Sequence, residues 1–85
     1  MDKDREKQLI SQVPPGTLFE HYKGHKYKIL GIARHSETSA MLVVYQALYN
    51  SSEFGDQAIW ARPLEMFLET VTIDGKEQPR FRRIG

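Results

Sequence analysis

Residues 41–49 read MLVVYQALY, nine consecutive positions without a charge. In an extended chain Met41, Val43, Tyr45, Ala47 and Tyr49 share one side, and Leu42, Val44, Gln46 and Leu48 share the other. β-Branched and aromatic residues dominate, which favours a strand. Both sides are mostly apolar, so the stretch predicts a central strand covered on both faces, with Val43 and Leu48 in the core. Gln46 is the exception. Either its amide is hydrogen-bonded inside, or its face opens onto a pocket.

Upstream, TLFEHYK (17–23) mixes aromatic and polar residues, and KYKILGIAR (26–34) alternates charged with apolar groups before turning apolar. Gly24 and His25 between them supply a tight turn, so the two stretches predict a hairpin. Gly31 inside the second run predicts a bulge or sharp bend. Downstream, NSSEFGDQ (50–57) reads as a loop and AIWAR (58–62) as a short strand. PLEMF (63–67) predicts one helical turn, because Pro63 suits a first helical position and Leu64, Phe67 and Leu68 can face inward. ETVTI (69–73) and KEQPRFRRI (76–84) form a last hairpin across Asp74-Gly75, and Pro79 requires that the final strand lie at an edge or begin after it.

The N-terminal residues 1–16 stand apart. MDKDREKQLISQ is polar with alternating charge and reads as a short helix or loose tail; VPPG (13–16) then stops any helix. Residues 17–85 are left as one small domain. Five or six short strands and no long internal helix exclude helix-rich and Rossmann-like folds. The expected fold is mainly β: a small, strongly bent antiparallel sheet, closed or nearly closed into an SH3-like barrel, with the helical turn before its fifth strand.

Composition limits the function. The 85 residues carry a formal net charge of +1, 40% apolar side chains and no cysteine. A nucleic-acid binder often has a strong basic excess, so here it would need a local patch. Lys23, Lys26, Lys28 and Arg34 on the first hairpin, with Arg80, Arg82 and Arg83 near the C-terminus, are the candidates. Without cysteine, thiolate metal sites and disulfides are excluded and a reducing, cytoplasmic compartment is favoured. No apolar run approaches the roughly 18 residues of a membrane span, and the charged N-terminus does not read as a signal peptide.

Two constellations carry chemistry. RHSET (34–38) places five polar side chains in succession on one loop. Arg34 offers a planar fork for a carboxylate or phosphate, and Ser36 and Thr38 share a side. His35 points away from them. Catalysis would use His35 and Glu37, but no oxyanion pattern or glycine-rich elbow accompanies them; the bland reading is a self-bonded polar turn. The second constellation, Tyr45, Tyr49, Trp60 and Arg62 with Gln46, makes an aromatic and basic surface suited to a peptide or single-stranded nucleic acid, against a plain core role for Tyr45 and Trp60. His21 and His25 flank the first turn, but no metal-binding spacing is present. No cofactor is expected. The reading is therefore a binding module with a site built from Arg34, His35, Ser36, Thr38, Tyr45, Gln46, Trp60 and Arg62, its partner a protein segment or nucleic acid; a small enzyme is the alternative.

HYKGHKYKILGIARHSET, LVVYQALY, IWARPLEMFLETV and DGKEQPRF, taken in order, resemble the small bacterial family called domain of unknown function 1653. The resemblance covers roughly residues 17 to 83. It implies a small SH3-like β-barrel and a bacterial cytoplasmic setting, and it implies no particular activity.

Overall fold

A computed structural model describes residues 3–85. The chain begins with helix α1 (Lys3–Ile10), followed by strands β1 (Leu18–His21), β2 (Lys26–Arg34) and β3 (Met41–Ala47). Two-residue strands β4 (Asn50–Ser51) and β5 (Gly55–Asp56) precede β6 (Ile59–Pro63) and the one-turn helix α2 (Leu64–Phe67). The chain ends with β7 (Thr70–Ile73), β8 (Lys76–Pro79) and β9 (Phe81–Arg83). Five strands form an antiparallel sheet in the order β6-β3-β2-β1-β9, and β4-β5 and β7-β8 form separate pairs.

The turns follow their residues. Gly24 and Gly75 have φ of 100° and 79°, and Asp74 joins Gly75 at 52°, the left-handed pair that a tight hairpin needs. The register between β2 and β3 slips between Ile29 and Gly31, so Leu30 is the extra residue of a bulge. That bulge lets the sheet bend. Phe81 on β9 lies three strands from Tyr45 on β3, which in a flat sheet is about 14 Å. Their rings are 5.6 Å apart. The sheet has curled until its two halves face each other.

Phe67 fills the space between them. It stacks on Phe81 at 4.0 Å and 9°, and meets Phe19 and Tyr45 edge-on at 5.4 and 5.3 Å. Val13, Ile29, Val43 and Leu64 complete the fully buried core. Leu9 and Ile10 at the end of α1 pack against it. Arg5 and Glu6 pin the same helix outward, to Glu65 at 3.6 Å and Arg34 at 3.4 Å.

Four expectations need correction. The barrel is not closed: β6 and β9 end the sheet order and do not pair with each other. What bridges the gap is side chains, the Arg62 guanidinium lying 5.7 Å from the Phe81 ring. The last strand is two strands. Pro79 has no amide to continue the ladder, and at Arg80 the chain changes sheets, its N–H donating to the Glu69 carbonyl and its carbonyl accepting from Tyr22. The 50–57 loop contains the small β4-β5 pair. Finally, β3 is fully buried on one side only. Val43, Tyr45 and Ala47 are buried, whereas Leu42 and Val44 are half-buried and Leu48, just past the strand, is 44% exposed.

The hollow of the sheet and its outer face therefore differ in what a truncation costs. Phe67→Ala should cost about 3–5 kcal/mol, whereas Leu48→Ala should stay within about 0.5 kcal/mol. Urea unfolding of the two variants measures this; equal losses would contradict a one-sided core.

Candidate functional site

The RHSET segment folds as a turn bonded to itself. His35 N–H donates to the Ala40 carbonyl at 2.8 Å, and Ser39, at φ 63°, returns its N–H to the His35 carbonyl at 2.8 Å. The amides of Glu37 and Thr38 donate to His35 Nδ1 at 3.1 and 3.3 Å, and Thr38 Oγ1 accepts from Ala40 at 3.2 Å. Nδ1 is thus an acceptor, and the neutral ring carries its proton on Nε2. A base at Nε2 would need the other tautomer, at the cost of both amide bonds, so the geometry disfavours His35 as a general base. Ser36 is exposed. Arg34 donates through Nη1 to the Ser39 carbonyl at 2.9 Å and through Nη2 to Glu6 at 3.4 Å. Its fork already holds a carboxylate from its own chain, beside a cavity of about 360 Å³ that also includes Thr38 and Met41.

Tyr45, Trp60 and Arg62 sit elsewhere. Cross-strand register pairs Tyr45 with Trp60 and Val43 with Arg62, placing all three on the concave side. Tyr45 is core, and its hydroxyl accepts from Arg62 Nε at 3.4 Å. Trp60 is half-buried, and Phe54 covers it edge-on at 4.8 Å. Gln46 faces the other way, paired with Lys28 and Ile59, and its amide donates to the Gln57 carbonyl at 3.2 Å. The expected site thus divides into three places: the turn, the concave seam and the convex face.

Other side chains join the seam. Tyr27 and Tyr49 share a hydroxyl–hydroxyl bond of 2.8 Å, and His25 lies over Tyr49 at 4.4 Å. Burial, then the Tyr49 hydrogen bond, raises the Tyr27 phenol far above the ordinary tyrosine range. His21 meets Phe81 edge-on at 4.9 Å. Partial burial, followed by the positive charges of Arg62, Lys23, Arg80 and His25, lowers its pKa below the ordinary histidine value. Pattern reading grouped Tyr45 with Arg62 but left out Tyr27, Phe81 and, except as a metal candidate, His21, whose only signal is the alternation of β2, β9 and β1 facing the same side. Among the described residues, no group of three or more His, Cys, Asp or Glu can hold a metal ion. Nor is any described helix long and apolar enough to cross a membrane.

A family model described as "Protein of unknown function (DUF1653)" matches residues 17–83. The chain belongs to the DUF1653 family. A crystal structure of a DUF1653 protein from Bordetella bronchiseptica is 37% identical, with a TM-score of 0.76, and the match covers 89% of this chain and 92% of that one. No curated protein matches the sequence. The DUF1653 match begins at Thr17, after α1.

Folding keeps His21 neutral at pH values where the unfolded chain binds a proton. Stability is therefore lost as pH falls from the ordinary histidine value of 6.5 towards the lower folded one, and changes no further below it. His21→Gln should flatten that slope. Urea midpoints taken across this range for both proteins give the test, and identical slopes would remove His21 as its source.

Proposed function

We propose that this DUF1653 chain is a non-catalytic binding module of SH3-like type that takes an extended protein segment along the free edge of β6. One observation carries the reading. β6 pairs only with β3, and beside this open edge Ile59 and Phe54 are 62% and 56% exposed, the most exposed large apolar side chains described. An open strand edge offers unpaired N–H and C=O groups, the template used when a peptide adds to a sheet. Alternate side chains of such a segment meet Ile59 and Ala61 on one side, Trp60 and Arg62 on the other. Protein is favoured over nucleic acid because the rings of Tyr27 and Tyr45 are committed to edge-on packing inside and offer no free faces for bases. A cysteine-free chain suits the reducing cytoplasm.

The test uses peptides selected from a random displayed library. Binding should shift amide resonances of residues 59–63, and Ile59→Asp or Phe54→Ser should weaken it about tenfold or more while circular dichroism stays unchanged. Glu37→Gln should leave it unaltered. Selected peptides that bind Ile59→Asp as tightly as the parent would overturn the edge reading. Salt-sensitive binding of oligothymidylate, lost in Lys26→Gln/Lys28→Gln, would favour nucleic acid instead.

A further inference from the structure

His21 stands at the opposite edge of the sheet from β6, where β1, the turn after it, β8 and β9 surround a cavity of about 200 Å³. Glu20 and His21 line it from β1, Tyr22 and Gly24 from the turn, Gln78 from β8 and Arg82 from β9. The Lys23 amide donates to His21 Nδ1 at 3.1 Å, so the neutral ring keeps its proton on Nε2 as a donor. Gly24 leaves the mouth open, since a Cβ there would meet nothing within 4 Å.

Charge around this cavity is unbalanced. The two carboxylates nearby are already paired, Glu20 with Arg82 at 2.5 Å and Glu69 with Arg80 at 2.8 Å. Lys23 and Arg62 form no ion pair among the described residues and rest over the rings of Tyr22 and Phe81. Arg62, Lys23, Arg80 and His25 together oppose a proton on His21. Arg80 also keeps a buried Nε without an acceptor. The one carboxylate lining the cavity is already held by Arg82, and Lys23, between the lining residues Tyr22 and Gly24, forms no ion pair among the described residues, so the local field favours an anion.

We propose that this cavity binds a small oxyanion of the phosphate class, held by His21, Lys23 and Arg82. The site is independent of the β6 edge and of what binds there. A bound dianion offsets the surrounding cations and favours the imidazolium, so it raises the His21 titration midpoint. By linkage, affinity increases as pH falls through the histidine range. Glu20 is the opposing charge. It keeps its hold on Arg82 and leaves the rest of that guanidinium for the ligand.

The experiment is an NMR titration of the imidazole resonances with sodium sulfate, then inorganic phosphate, at ionic strength held constant with chloride. Sulfate keeps its charge across the histidine range, so its pH dependence reports on the protein. The expected result is a saturable shift at His21 and at the amides of Lys23, Gln78 and Arg82, with the His21 midpoint moved upward. His35, in the turn between β2 and β3, should not move. Lys23→Gln should weaken the anion about tenfold, the loss of one charge-assisted contact, while retaining native amide dispersion. No saturable shift at His21, equal shifts at His21 and His35, or unchanged affinity in Lys23→Gln would each overturn the site. Adenosine 5′-monophosphate distinguishes the source. Shifts at the same resonances assign the phosphoryl group of a larger ligand, and its exclusion assigns the free ion; either upholds the site.

Discussion

The stack of Phe67 on Phe81 is the contact on which the architecture depends. Phe67 belongs to a single helical turn and Phe81 to the last strand, so the 4.0 Å contact spans the β7-β8 hairpin that separates them in the chain. A lone turn of helix has no stability of its own. It persists here because Pro63 fixes the entry and because Leu64 and Phe67 are drawn into the hollow of the curled sheet. The dependence is mutual. Without a large ring in the hollow, Phe19, Tyr45 and Phe81 would lose the partner against which the bulged sheet bends, and the open seam would have nothing to hold its edges near each other.

That seam explains why both proposed surfaces lie at edges. A fully closed barrel has no free strand. Here closure is made by side chains alone, with Arg62 reaching over Phe81, and each edge keeps its backbone groups on one side. The β6 edge is apolar, with Ile59 and Phe54 exposed. The β9 edge is basic, with Arg82 beside the cavity at His21. The two edges thus suit partners of different chemistry.

Much of this was legible in the sequence, for local reasons. Gly31 marked the bulge, Asp74-Gly75 the hairpin and Pro63 the helical turn, because each residue restricts or frees its own backbone. Alternation in 41–49 identified the strand and its two rows of side chains. It could not say that the opposite face is only partly covered, because Leu42, Val44 and Leu48 are as apolar as a buried row; coverage depends on other segments. Closure failed for the same reason. KEQPRFRRI reads as one strand unless the Pro79 break is combined with the pairing of Arg80 to Glu69 and Tyr22, contacts far apart in the chain. In the site, Tyr45 and Arg62 could be grouped because both lie on strands of fixed alternation. RHSET could not be joined to them, since polar residues in succession do not reveal that His35, Thr38 and Arg34 bond to their own turn.

The change of sheets at Arg80 has a consequence for how the molecule opens. β7 and β8 pair only with each other, and every residue of β8 is exposed. Arg80 closes the hairpin on itself, its amide on the Glu69 carbonyl and its guanidinium on the Glu69 carboxylate, and fastens it to the main sheet through its carbonyl, which accepts from the Tyr22 amide. With so few buried contacts, its local opening free energy lies far below that of the sheet. The hairpin therefore behaves as a separate cooperative unit: its amides exchange with solvent while β2 and β3 stay protected, and proteases find their first cut there in otherwise native protein.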